Sequence, residues 1–230
     1  MNRQPIFDAV KQLRGGKAFT GVEVKALDAA IDEALGLGPH ASGLSEPAEF
    51  YAHVRSALKP LNQTQVAGFE TSLSAMGTAH WPLSWVAYAL ATKWHETNET
   101  MQPVREAYWL SEAWRKTHLR YWPWYGRGDV QLTWQQNYER ADEELGLGGS
   151  LVANPDRALE PDIAAKVMVR GMEAGWFTNH KLADYLPLAG RGTADGYTNA
   201  RRIINGTDRA AKIAGYAQAF EEALAQGGWA

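Results

Sequence analysis

The sequence predicts a mainly α-helical protein of α+β class, with a single short extended stretch near 121–133 and a core made by helices. Three observations carry that reading. Apolar residues recur at spacings of three and four in most windows. Glycine and proline breakers separate those windows. Only one stretch, 121–132, alternates in the manner of strands, and it is rich in aromatics and interrupted by Pro123, Gly126 and Gly128.

Taken in order, Phe7, Val10 and Leu13 mark a helix over 4–14, and Val24, Leu27, Ile31 and Leu35 a second over 21–35. Gly36-Leu37-Gly38-Pro39 ends the second helix, and the small polar residues up to Glu46 read as a linker with a boundary. A helix is expected over 47–58. Another follows over 64–76, with Val66, Phe69 and Leu73 on one face and Asn62 as its cap. The stretch 83–95 is nearly all apolar, which predicts a helix buried on most sides that delivers His95-Glu96-Thr97 at its end. The extended stretch at 121–132 is expected to form a small hairpin or loop. Helices over 135–145, 161–177, 200–204 and 208–224 complete the chain, with Gly146, Gly148 and Gly149 stopping the first of them. No internal repeat or low-complexity tract is present.

Composition excludes several function classes. A chain of 230 residues makes one full domain, or one with a small appendage, and buries enough surface to need no covalent staple. The absence of cysteine excludes disulfides, thiolate zinc sites and a cysteine nucleophile. Lys and Arg number 23 against 26 Asp and Glu, a net charge of -3 without a basic block, which argues against a nucleic-acid partner. No window reaches the ~18 to 20 consecutive apolar residues of a membrane span. The opening residues, Met1 to Asp8, carry no apolar run of signal-peptide length. Ten Trp and nine Tyr, many between Trp81 and Tyr138, serve core packing, and they also suit a groove for sugars, whose flat apolar faces are edged with hydroxyls.

Cleavage of a glycosidic bond requires a protonated carboxylic acid beside the leaving oxygen and a second carboxylate that attacks carbon or activates water. Glu96 stands at the end of the apolar helix, where burial would favour its protonated form. Glu106 follows ten residues later. On an unbroken helix that spacing is about 15 Å, too long for an inverting pair held roughly 6.5 to 9.5 Å apart, so the chain must leave the helix and turn back. Pro103 bars a helix and pushes Gln102 out of the α region, which makes 98–103 the returning loop. Glu99 and Glu112 are weaker candidates for the base. Downstream, Tyr125-Gly126-Arg127-Gly128-Asp129-Val130-Gln131-Leu132-Thr133-Trp134 and then Asn137-Tyr138 place amide, hydroxyl and guanidinium groups on a glycine-bent loop whose backbone can approach a ligand.

Together, His95-Glu96-Thr97 and the later Tyr-Gly-Arg-Gly, Gln-Leu-Thr and Asn-Tyr runs resemble glycoside hydrolase family 19, and more closely its phage-lysin branch. In that branch the second Glu follows the first after a short loop, here 100–106, where plant-type chitinases carry a longer, cysteine-bearing insertion. The resemblance runs from about Leu61 to Leu224 and includes Ile204-Asn205-Gly206. It implies a lysozyme-like, two-lobed helical fold with a catalytic groove between lobes. It also implies Glu96 as general acid, Glu106 as base and Thr133 as the hydroxyl that holds the water. His95, Tyr125, Arg127, Gln131, Asn137 and Asn205 are the implied substrate-binding residues. The family's chitinases follow the Asn-Gly segment with a Glu and an Arg that support the acid; here Asp208 and Lys212 are the nearest residues.

Other fragments carry less. Arg127-Gly128-Asp129 spells an adhesion tripeptide, but its glycine already serves the loop. His95-Glu96 opens like a zinc-protease helix, yet Glu99 stands where the second histidine belongs. The histidines at 40, 53, 80, 118 and 180 are scattered, and the Gly-x-Gly pairs at 36 and 190 lack a third glycine and a preceding strand. The expectation is therefore a helical accessory segment over 1–58 and a catalytic domain over 59–230, without cofactor or metal. The expected protein is a monomer that gathers in the host bacterial cytoplasm and cuts peptidoglycan by inverting hydrolysis of the bond between N-acetylmuramic acid and N-acetylglucosamine. The alternatives are a chitinase, a lytic transglycosylase and a silent wall-binding module.

Overall fold

A computed structural model describes residues 4–19, 23, 27 and 43–229. The chain divides into two compact units, Met1–His40 and Ala41–Ala230. In the first, α1 (Gln4–Leu13) is followed by a turn at Gly15 and Gly16, both with positive φ. Phe7 packs edge-on against Phe19 at 5.5 Å, and Arg14 lies over Phe19 while pairing with Glu23. The helix expected over 21–35 falls outside the described residues except at Glu23 and Leu27, both helical.

The second unit is mainly helical with one small antiparallel sheet. Its helices are α2 (Pro47–Ala57), α3 (Gln63–Thr78), α4 (Leu83–Glu96), α5 (Glu112–His118), α6 (Gln135–Glu144), α7 (Ser150–Ala153), α8 (Pro161–Ala174), α9 (Ala194–Ala200), α10 (Arg202–Asn205) and α11 (Ala210–Gln226). Strands β1 (Val104–Arg105) and β2 (Arg127–Gly128) pair with Val104 opposite Gly128 and Arg105 opposite Arg127. The extended stretch expected at 121–132 thus supplies one strand and the tight loop closed by mutual backbone bonds of Arg127 and Leu132; the other strand lies upstream. Two residues are too few to show an alternating pattern, so β1 left no periodic trace in the sequence.

The apolar run 83–95 does form the central helix. Every side chain from Ser84 to Trp94 on α4 is buried, and α11 packs along it, with α2 lying against α11 in turn. Phe50, Phe69, Trp94 and Phe220 meet ring to ring at 5.6 to 6.1 Å where α2, α3, α4 and α11 converge. Helix α3 starts as expected. The Asn62 side chain accepts the N–H of Gln65, and the Gln65 side chain accepts that of Asn62, a reciprocal cap that satisfies two donors left free by the first turn. Helix α8 is three residues shorter than expected, ending where Gly175 takes a left-handed φ of 74°. Among the described residues no helix is long and apolar enough to cross a membrane.

A buried ion pair ties α4 to the loop after β2. Lys93 Nζ lies 2.9 Å from Asp129 Oδ2, both side chains being excluded from solvent, and Lys93 also donates to the Ser72 hydroxyl and the Gly68 carbonyl. Burial pushes the Asp129 carboxyl above its usual value while Lys93 pulls it back.

Candidate active site

Helix α4 ends at Glu96, and the next residues cannot continue it. Asn98, Glu99 and Met101 hold left-handed φ values of 49°, 65° and 57°. The segment 98–103 turns back and leads into β1, with Glu106 directly after that strand. The return is close: the Asn98 side-chain amide donates to the Tyr108 hydroxyl at 3.2 Å, so the residues two places beyond each glutamate touch. The returning loop also sits on α3. A methyl group added at Gly68 would stand 2.0 Å from the Met101 carbonyl oxygen, so only glycine lets the two backbones approach this closely. Thr97 fastens the turn from inside, donating to the Lys93 carbonyl and accepting from Met101 N–H.

The two acids meet different neighbours. Glu96 is mostly buried, as its helix suggests, but with a cation beside it: its side chain keeps 17% exposure, and Arg201 Nη1 donates to Oε1 at 2.6 Å. Arg201 is itself buried, and its Nε donates to the Asp208 carbonyl, which fixes the guanidinium plane. Among the described residues no protein group bonds the other Glu96 oxygen. Glu106 is held by three contacts. Its N–H donates to the Gly126 carbonyl at 2.7 Å, Gly126 N–H donates back to Oε2 at 3.0 Å, and the Tyr121 hydroxyl donates to Oε1 at 2.9 Å. Burial and that bond to a carboxylate push Tyr121 up to about 12, so it stays a donor.

Gly126 lies between Glu106 and Gln131: a methyl group there would stand 3.3 Å from Glu106 Oε2 and 2.8 Å from Gln131 Oε1. Gln131, at a φ of 57°, donates to the Val104 carbonyl, and the Thr133 hydroxyl donates to the Gln131 carbonyl. Asn137 in turn donates to the Thr133 carbonyl at 2.8 Å. The structure therefore gathers Glu106, Gln131, Thr133 and Asn137 around one bend. Tyr125 and Arg127 are buried instead. The Tyr125 hydroxyl donates to Glu112, and Arg127 stacks on the Tyr125 ring at 3.6 Å while pairing with Asp156 and donating to the carbonyls of Pro123 and Tyr125. Asn205 is exposed at the end of α10, the short helix that Arg201 precedes. His95 is half-buried beside Glu96; burial pushes its imidazole below 6.5, with Arg201, Lys212 and Arg209 acting in the same sense against Glu96.

The weaker carboxylate candidates have partners elsewhere. Glu99 pairs with Lys59. Glu112 accepts from Trp122 Nε1, Arg115 Nε and the Tyr125 hydroxyl; burial pushes its carboxyl up, and these bonds outweigh burial and hold it low. Among the described residues, no group of three or more His, Asp or Glu side chains could hold a metal ion.

Part of the chain is similar to plant chitinases. A stretch of 47 residues is 51% identical to an acidic 26 kDa endochitinase of Solanum lycopersicum and 49% identical to the acidic endochitinase pcht28 of Solanum chilense, covering 20% of this chain and 19% of each relative. A longer stretch of 98 residues is 35% identical to chitinase 8 of Oryza sativa subsp. japonica, covering 36% of this chain and 35% of the relative. The chain thus spans between about a fifth and about a third of the length of these curated relatives. No protein-family model matches the chain, and no solved structure matches it.

Sequence reasoning missed two residues that hold the glutamates and one that braces the helix behind them. Arg201 lies three residues before Ile204-Asn205-Gly206, whereas the sequence points downstream, to Asp208 and Lys212, for a partner of Glu96; Asp208 contributes its backbone carbonyl to Arg201. Tyr121 was one aromatic among many, with no local signal of its partner. The third, Lys93, is a charge within an otherwise apolar helix, and that contrast was a signal available in the sequence.

Proposed function

We propose that this chain is an inverting endo-glycosidase that hydrolyses the β-1,4 bond between N-acetylmuramic acid and N-acetylglucosamine in bacterial peptidoglycan, the activity of an endolysin. The observation that carries the reading is the pair of glutamates on adjoining segments with unlike partners: Glu96 bonded through one oxygen to buried Arg201, and Glu106 bonded by Tyr121 and Gly126. Glu96 gives its proton to the leaving glycosidic oxygen as the C1–O bond breaks. Glu106 takes a proton from a water whose oxygen bonds C1 from the opposite face, with Thr133 helping to hold that water. Solvent exchange then restores both carboxyl groups.

Hydrolysis of plain N-acetylglucosamine polymers is a second reading, favoured by the local similarity to plant chitinases. Mass spectrometry of purified peptidoglycan digests, run beside chitin oligomers, separates the two. Hydrated reducing N-acetylmuramic acid ends are expected. Cleavage of chitin alone selects the second reading; anhydro-sugars indicate a lytic transglycosylase, and binding without new reducing ends a silent module. Glu96→Gln is expected to keep the fold while lowering wall clearing by about 10² to 10⁴-fold, the usual worth of a general acid. Wild-type clearing by that variant would overturn the assignment.

A further inference from the structure

Two exposed indoles each lie under an exposed cation, and one of them adjoins the tyrosine that bonds Glu106. Trp134, 39% exposed, lies edge-to-face with Tyr121 at 4.9 Å, the same Tyr121 whose hydroxyl bonds Glu106, and the Arg120 guanidinium stands 5.3 Å over its ring. Trp122, 38% exposed, donates its indole N–H to Glu112, and the Lys116 ammonium stands 5.1 Å over it. Among the described residues no carboxylate pairs with Lys116 or Arg120; the nearby Glu112 is matched by Arg115. Trp134 further holds a φ of 75° with a ψ of 138°, a backbone state that suits glycine far better than an indole. Both cations are exposed, and the positive-φ backbone at Trp134 carries a large ring that is itself 39% exposed.

We infer that Lys116 and Arg120, on their two tryptophans, form a ridge that reads carboxylate groups along a glycan, so that the site favours muramyl-containing strands over neutral N-acetylglucosamine polymers. A sugar face suits the indole, and an anionic substituent beside the ring suits the cation held over it. Chitin offers the first feature without the second. The carboxylate has two alternative sources: the stem peptide or, once that peptide is removed, the lactyl group of muramic acid whose carboxyl it had capped as an amide. The inference rests on the glycosidase reading above.

The test compares kcat/KM of the wild type, Lys116→Gln/Arg120→Gln, and Arg120→Lys on three glycans: intact soluble peptidoglycan strands, strands stripped of stem peptide by an amidase, and chitohexaose. The double variant is expected to lose about tenfold more on the carboxylate-bearing strands than on chitohexaose. Arg120→Lys, which keeps the charge, is expected to retain near wild-type kcat/KM on all three glycans, whereas a merely structural role for the guanidinium would lower all three alike. The arm with the larger loss identifies the carboxylate. Equal losses on all three glycans, or no loss, would overturn the ridge. Cleavage of chitohexaose alone by the wild type would overturn it too while leaving a glycosidase standing. Failure of the wild type on every glycan would instead remove the underlying reading. Trp134→Gly relieves the backbone and removes the ring, so it is expected to fold and to lose rate on all three; unchanged rates would count against the platform.

Discussion

Arg201 decides more of the site than any residue the sequence singled out. A buried guanidinium with one arm on Glu96 and another on a backbone carbonyl holds the carboxyl in one orientation, because its donors lie in a fixed plane. Arg201→Met keeps length and apolar contact but leaves Glu96 without that bond. Loss of orientation is expected to lower kcat roughly 10²-fold with a smaller effect on KM, the usual consequence of misplacing a reacting group by about an ångström. Steady-state kinetics on a soluble oligomer checks this, and an unchanged kcat would show that Arg201 only packs. That the chain turns back between Glu96 and Glu106 was legible, because Pro103 bars a helix through that stretch. Their partners were not. Hydrogen bonds from Tyr121 and from Arg201 cross 15 and 105 positions of sequence, and no periodicity encodes such pairings.

At the scale of elements, the long helices were legible and most of the short ones were not. Helices α3, α4, α8 and α11 each repeat an apolar face often enough to show a period; α10, a single turn, was expected over 200–204, whereas the short helices α5, α7 and α9 and the two-residue β1 left no such pattern. The loop 98–103 was foreseen from Pro103, yet what seats it is Gly68 on α3, a contact between backbones that leaves no trace except a glycine inside a helix. Gly68→Ala tests this seat. Its methyl group must push Met101 away, at a cost of about 1 to 3 kcal/mol from overpacking, offset in small part by the better helix propensity of alanine. Urea unfolding is expected to show lower stability, and activity is expected to fall beyond the loss of folded protein, because Glu106 follows the displaced loop. Activity that merely tracks the folded fraction would separate the loop seat from the site.

Across the whole molecule, the mainly helical class with a small sheet was readable because α4 is apolar on nearly every side and so must lie at the centre of a unit. Ala41–Ala230 is that unit, with α2 supplying Phe50 and Val54 to its core. The Lys93–Asp129 pair joins the helix that ends in Glu96 to the loop that follows β2, so both acids are referred to one buried strut. Such a pair contributes little net stability compared with apolar replacements but fixes the arrangement of the elements it joins. What this assembly is for comes down to whether water, taken in by Glu106 from the face opposite Glu96, is the nucleophile. The most direct measurement is proton NMR of the first product released from a soluble β-1,4-linked N-acetylglucosamine or muramyl oligomer, recorded before the sugars mutarotate. The α-anomer is expected at the newly formed reducing end. A β-anomer, or an anhydro end with no hydroxyl at C1, would contradict it.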